Sequence, residues 1–145
     1  SDLAANVTTL AVTGNTFVNT NILFAGNNSI LAQQTGTFLY PTNSSTSNTV
    51  YQIPKSLAKS GKLSVTVADS TAVNANNRMF TEISFVYFDN GTTNTVFFNE
   101  YGMIFNNTRF LTFNMETDAA NIILTAVSNA SVTSADIITN STLYK

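Results

Sequence analysis

One segment of the chain, residues 81–105, constrains the fold more than any other. It holds two stretches of β-forming residues on either side of Asp89-Asn90-Gly91. Asn and Gly tolerate the positive φ angles of tight turns, so this tripeptide between apolar stretches predicts a β-hairpin. A break at Glu100-Tyr101-Gly102 and a further apolar stretch follow, which predict another strand. The segment therefore predicts a hairpin inside an antiparallel sheet.

Other stretches carry the same period-two pattern. Residues 62–68 alternate, with Leu63, Val65 and Val67 on one face and polar side chains on the other, and residues 109–115 do the same. This alternation is typical of a strand with one buried and one solvated face. Residues 80–88 are apolar on both faces toward the end of the segment, and residues 121–127 are almost continuously apolar, which predicts central strands covered on both sides. Five phenylalanines fit core positions: Phe80, Phe85, Phe98, Phe110 and Phe113. Weaker strand patterns occur at 7–13, 16–18, 21–25, 36–40, 49–53, 95–99 and 135–138.

Many short strands separated by turn residues predict an all-β fold, an antiparallel β-sandwich or jelly-roll-like single domain over residues 1–145. We expect at most one short helix near residues 54–60, where Pro54 can begin a helix and Gly61 can end it. As an alternative organisation, residues 1–40 could form an N-terminal docking region, followed by a β-sandwich core at 49–145. The stretch 33–48 would then be the connection.

Composition excludes several classes of function. Among 145 residues there is no histidine and no cysteine, which removes histidine-based triads, disulfides and the usual zinc sites. The charged fraction is 10% and the net charge is −2, so nucleic acid is not an expected partner. We also expect no membrane span and see no signal region at the start. The several Asn-x-Ser/Thr sequons are expected by chance in a chain this rich in Asn, Ser and Thr.

Carboxylates are the remaining catalytic candidates. Glu116 and Asp118 would share a face if they lay on one strand, and Glu82 and Glu100 flank the predicted hairpin. A glycosidase needs two such carboxyl groups across a cleft. The alternative is that residues 116–121 form a polar turn without a catalytic role, and we favour this alternative. We therefore expect a non-enzymatic protein with no catalytic residue, no cofactor and no metal. Calcium at Asp89 is a further alternative, but a turn role is favoured there.

Five residues form the predicted contact surface. Lys55, Lys59 and Lys62 are the only concentration of positive charge, which could touch an anionic surface, although such runs are usually solvated. Asn90 lies in the predicted turn. Tyr101 lies near a strand end, where an amphipathic ring could stack on a sugar or fill a subunit contact.

Residues 77–127 resemble a β-rich module of virion structural proteins from marine tailed bacteriophages of the cyanophage type. The pattern is an acidic strand start, an apolar run, an Asp-Gly-Thr-like turn, then Thr-Glu-Tyr-Gly, a Leu-x-x-Phe-Asp strand and a final apolar strand. The matching segments are Thr81-Glu82, 83–88, 89–93, 99–104, 109–114 and 120–124. Asn99, Asn114 and Ala119-Ala120 depart from the pattern. The resemblance implies a β-rich virion part and carries no catalytic residue.

We therefore expect a phage virion structural protein, first of all a capsid decoration or cement subunit, made in the host cytoplasm and located in the virion. Its partners would be the major capsid protein or other virion subunits, and it would form a homo-oligomer such as a trimer. The alternative is a tail or head fibre domain that binds host-surface glycans. A polysaccharide depolymerase that uses acidic residues and a secreted adhesin are further alternatives.

Overall fold

The computed structural model describes residues 22–26, 29–40, 47–69, 76–128 and 134–145. Within these ranges the chain forms nine β-strands and no helix. The strands are β1 (Ile22–Gly26), β2 (Ser29–Tyr40), β3 (Asn48–Pro54), β4 (Ser60–Asp69), β5 (Arg78–Asp89), β6 (Asn94–Phe105), β7 (Leu111–Thr117), β8 (Asn121–Ser128) and β9 (Ala135–Tyr144).

The strands form two antiparallel sheets. The larger has the order β1-β2-β9-β4-β5-β6, and the smaller has the order β3-β8-β7. This confirms the predicted all-β, antiparallel, sandwich-like fold, whereas the narrower jelly-roll connectivity is not confirmed. The strand patterns at 7–13 and 16–18 lie outside the described residues. The division into a docking region at 1–40 and a core at 49–145 stays a prediction.

Among the residues with described side chains, the core consists mainly of the inner faces of β4, β5 and β9 and of buried side chains from β3, β7 and β8. In β4 the predicted alternation is confirmed, because Leu63, Val65 and Val67 are fully buried. Strand β8 is buried on both faces, as its continuous apolar pattern predicts. Each fully buried aliphatic side chain contributes about 1.5–3 kcal/mol relative to exposure. The other fully buried large side chains include Ile53, Met79, Ile83, Phe110, Leu111, Ile122, Leu124, Ile137 and Leu143.

One close contact within the larger sheet and one hydrogen bond between the two sheets fix the packing. A Cβ at Gly61 would lie 2.8 Å from both the Phe85 ring and the Thr142 carbonyl oxygen, so only glycine fits where β4 meets its neighbours. Between the sheets, the Tyr51 hydroxyl of β3 lies 3.0 Å from Ser141 Oγ of β9. Burial raises the pKa of Tyr51, and this hydrogen bond partly opposes the rise. The bond satisfies polar groups that would otherwise be costly in the core.

The optional helix does not form, and three other local predictions need correction. The helix candidate at 54–60 is a turn, because Leu57 N donates to Pro54 O and the segment is too short for a stable helix. The expected break at 100–102 is a β-bulge inside one strand, where Gly102 has a φ of +63°. Strand β5 is covered on one face only, since Val86 is exposed. Phe98, an expected core residue, is 38% exposed because β6 lies at the sheet edge.

Candidate binding surface on the larger sheet

The outer face of the larger sheet, opposite the core, carries a band of polar side chains. Strand register aligns them in two adjacent rows that cross β9, β4, β5 and β6. We call this surface the polar band. Its first row is Asn140, Ser64, Glu82 and Tyr101, and its second row is Thr142, Lys62, Ser84 and Asn99. Because side chains alternate along each strand, all eight point away from the core.

Within the polar band, Lys62 contacts both Glu82 and Tyr101. Lys62 Nζ lies 2.7 Å from Glu82 Oε1 and 5.8 Å from the centroid of the Tyr101 ring. The Tyr101 hydroxyl accepts a hydrogen bond from Ser84 Oγ at 3.3 Å. The hydrogen bond with Glu82 raises the pKa of Lys62, so its ammonium group stays charged at neutral pH. The band thus combines an exposed aromatic ring with a compensated ion pair and neutral hydrogen-bonding groups.

Apolar rows border the polar band on both sides. The row on one side is Tyr144, Ser60, Val86 and Phe97, and the row on the other side is Ile138, Thr66, Phe80 and Ile104. Each row has three apolar or aromatic residues and one hydroxyl residue. Near β6 each border has a shallow depression, with volumes of about 320 Å³ beside Phe97 and about 290 Å³ beside Ile104. A ligand on the β6 side of the band would therefore meet hydrogen-bonding groups in the middle and apolar surface beside Phe97 and Ile104.

The three predicted lysines do not form one cluster. Lys55 Nζ and Lys59 Nζ lie 5.1 and 4.9 Å from the centroid of the Tyr87 ring, at the end of the sandwich where the β5–β6 turn lies. Lys55 also donates to Asn94 Oδ1 at 3.1 Å and to the carbonyl oxygen of Asp118. These contacts tie the end of β3 to the turns of both sheets. Of the three lysines, only Lys62 lies on the polar band.

Asn90 has a structural contact in the β5–β6 turn. Its Oδ1 accepts hydrogen bonds from the backbone N–H groups of Thr92 and Thr93, at 3.0 and 2.6 Å. Asp89 receives hydrogen bonds from Gly91 N at 2.8 Å and from the Tyr87 hydroxyl at 3.0 Å. These bonds lower the pKa of Asp89, with the Gly91 N–H as the largest cause. The turn interpretation of this tripeptide therefore has a direct physical basis.

Glu82 and Glu100 do not form the pair considered from sequence, and Asp118 holds a turn. Glu82 lies on the outer face, whereas Glu100 pairs across from buried Ile83 on the inner face and is held by Arg109 at 2.8 Å. Asp118 accepts hydrogen bonds from the N–H groups of Ala120 and Asn121 in the β7–β8 turn, which lowers its pKa. Among the described residues there is no group of three or more carboxylates that could hold a metal ion. In the same ranges no helix could cross a membrane.

Sequence reasoning missed most of the polar band. It selected Lys62 and Tyr101, but not Ser64, Glu82, Ser84 or Asn99 as members of one surface. The outward direction of Lys62, Ser64 and Thr66 could be read from the alternation in β4. The neighbours of these residues on β5 and β6 depend on the strand register. The bulge at Gly102 changes the register between β5 and β6.

No protein-family model and no curated protein matches the chain. The fold is similar to the tailspike protein of Acinetobacter phage vB_ApiP_P1, with a TM-score of 0.53 and 12% identity over 98% of this chain and 25% of that chain. It is also similar to the tailspike gp49 of Acinetobacter baumannii bacteriophage Fri1, a capsular polysaccharide depolymerase. That alignment has a TM-score of 0.47 and 16% identity over 86% of this chain and 19% of that chain. The chain thus spans a quarter or less of these proteins.

These similarities change three expectations. The fold of the chain occurs in phage tailspikes, which agrees with a β-rich phage virion module, but the finer resemblance to marine phages is not supported. A capsid decoration role is not supported by this similarity either. The expectation of a non-enzymatic protein is withdrawn, because the fold is similar to that of a phage tailspike.

Proposed function

We propose that the chain is a β-rich domain of a phage tail-fibre or tailspike protein and that its polar band binds host-surface glycans. The observation that carries the proposal is the exposed Tyr101 ring beside Lys62, Glu82 and Ser84. Sugars present C–H groups on one face and hydroxyl groups at the edges, so they suit an aromatic ring surrounded by hydrogen-bonding side chains. In a virion, such a domain would contact the cell surface.

The charge of the surface supports neutral or weakly charged glycans. Lys62 and Glu82 compensate each other, and the whole chain has a net charge of −2. Specificity would then come from donors and acceptors at fixed positions rather than from a long-range field. Asn99 and Ser84 supply such groups within the second row of the band.

The tailspike-like fold supports the location of the domain. The alignment with the vB_ApiP_P1 tailspike includes 98% of this chain. Because that alignment covers 25% of the tailspike, the activity of a whole protein would depend on more than this domain. We therefore assign to this chain only the contact with the glycan.

A glycan array followed by calorimetry tests the proposal. Tyr101→Ala is expected to weaken the affinity for the recognised glycan about tenfold, which is about 1.4 kcal/mol. Tyr144→Ala is the matched control, because Tyr144 is 49% exposed on the same face but lies outside the polar band. Tyr101→Phe should keep most of the affinity, since it keeps the ring. If the chain binds no glycan, or if both alanine variants weaken binding equally, the proposal is wrong.

A further inference from the structure

The β5–β6 turn contains a chemically labile dipeptide. Gly91 is the only one of the six glycines that follows an asparagine, so the pair Asn90-Gly91 occurs once in the chain. In such a pair the backbone nitrogen of the glycine can attack the side-chain carbonyl carbon of the asparagine, because glycine has no Cβ to hinder the approach. Asparagine is accordingly among the thermolabile residues of proteins. Both residues are exposed to the water that this chemistry needs.

The reaction consists of a ring closure and a hydrolysis. In the ring closure the Gly91 nitrogen loses its proton to hydroxide and bonds to Asn90 Cγ. The bond from Cγ to Nδ2 breaks, and the nitrogen takes a proton from water and leaves as ammonia, which regenerates hydroxide. The product is a cyclic imide. Water then opens the imide at Cγ, which gives aspartate, or at the backbone carbonyl, which gives isoaspartate with the chain running through Cβ.

The folded turn holds the attacking nitrogen against a carboxylate. Gly91 N donates to Asp89 Oδ1 at 2.8 Å, and the Tyr87 hydroxyl donates to the other oxygen of the same carboxylate at 3.0 Å. The pKa of Asp89 is lowered, mainly by the Gly91 N–H, so the carboxylate is charged at neutral pH. Loss of the Gly91 proton would place a second negative charge at this distance. That repulsion disfavours the nucleophile about tenfold, even with the dielectric constant of water.

The carboxamide that would be attacked is held as well. Asn90 Oδ1 accepts the backbone N–H groups of Thr92 and Thr93, at 3.0 and 2.6 Å, and Asn90 N donates to Thr93 O at 3.2 Å. Movement of the carboxamide toward Gly91 N is opposed by these bonds. The two N–H groups also polarise the carbonyl, but water would do the same at an exposed turn, so they add little acceleration. The net effect of the fold is therefore protection.

We propose that Asn90 is a deamidation site of this chain and that the contact of Asp89 with Gly91 keeps it in the amide form while the turn is folded. Conversion to isoaspartate would add one atom to the backbone of the turn. It would also displace the oxygen that accepts the N–H groups of Thr92 and Thr93, so the β5–β6 hairpin would lose contacts at its turn. The proposal is independent of the glycan assignment.

Peptide mass spectrometry after incubation at mildly alkaline pH tests the proposal. Trypsin cuts after Arg78 and Arg109, so one peptide contains Asn90 together with internal references at Asn94, Asn99, Asn106 and Asn107. In urea, where the turn is open, Asn90 should convert to aspartate and isoaspartate at least about tenfold faster than in the folded chain, and faster than the references. Equal rates in the folded and unfolded chain, or conversion in urea no faster than at the references, would overturn the proposal.

Folded variants test the role of Asp89. Asp89→Ala should convert Asn90 about tenfold faster than the folded wild type, because it removes the charge beside Gly91 N. Asp89→Ser, whose hydroxyl keeps an acceptor but has no charge, should also be faster and serves if the alanine variant does not fold.

Asp118→Ala is the matched control for these variants. It removes a carboxylate that accepts two backbone N–H groups in the β7–β8 turn, so it costs a similar contact away from Asn90. This variant should convert Asn90 at the wild-type rate, and circular dichroism checks that each protein is folded. A folded Asp89 variant that converts no faster than the wild type, or an equal acceleration in Asp118→Ala, contradicts the proposal.

Discussion

Strands β4 and β6 both pair with β5 in the larger sheet, yet their side chains are distributed in opposite ways. In β4 every apolar residue of the alternating pattern is fully buried, and Lys62, Ser64 and Thr66 point outward. In β6 apolar residues occupy both faces, and Phe97 and Ile104 are mostly exposed. The buried set of β4 is explained by the core. The exposed residues of β6 are not part of the core formed by the described residues.

A pair of truncations provides the strongest test of this difference. Leu63→Ala should lower the free energy of unfolding by about 2–5 kcal/mol, because it leaves a cavity in the core. Ile104→Ala should change it by less than about 0.5 kcal/mol, because Ile104 is 68% exposed. Urea unfolding measures both. A loss for Ile104→Ala as large as that for Leu63→Ala would show that β6 belongs to the core.

The β7–β8 turn provides a second test, for which we expect a smaller change in stability. The lowered pKa of Asp118 means that its carboxylate stabilises the fold above the ordinary value of 3.8 and loses this contribution as pH falls through the lowered value. The melting temperature should therefore fall between about pH 5 and pH 2. Asp118→Asn should show a smaller acid-induced fall, because its side chain has no charge to lose.

Glu116→Gln is the control for that measurement. It removes one charge from the same end of β7 but leaves the hydrogen bonds from Ala120 and Asn121 to Asp118 in place. Thermal unfolding followed by circular dichroism at several pH values compares the three proteins. An acid-induced fall in Asp118→Asn equal to that of the wild type would contradict the role of Asp118 in the turn.

Local sequence patterns are sufficient to predict the fold class, but they are not sufficient to predict which residues form the candidate binding surface. Alternation in 62–68 predicted the buried face of β4, and Asp89-Asn90-Gly91 predicted the hairpin of β5 and β6. Both depend on residues close in sequence. The placement of β9 between β2 and β4 depends on pairing between segments that are distant in sequence, so it cannot be predicted from a local pattern.

The same distinction explains the outcome for the site residues. The three lysines are close in sequence, but Lys55 lies in the turn at 55–57 and Lys59 lies just before β4, whereas Lys62 points outward from β4 itself. Tyr101 reaches the polar band because β6 continues through a bulge where a break was expected. Phe98 was placed in the core from its hydropathy alone, whereas its exposure follows from the position of β6 at the edge.

The measurement that tests the central claim most directly is a two-dimensional NMR titration of the chain with an oligosaccharide of the recognised glycan. We predict that the largest chemical-shift changes lie in the polar band, at Tyr101, Asn99, Ser84 and Lys62, with little change in β7 and β8. Changes centred on the β5–β6 turn or on the smaller sheet would contradict the account, as would a spectrum that does not change.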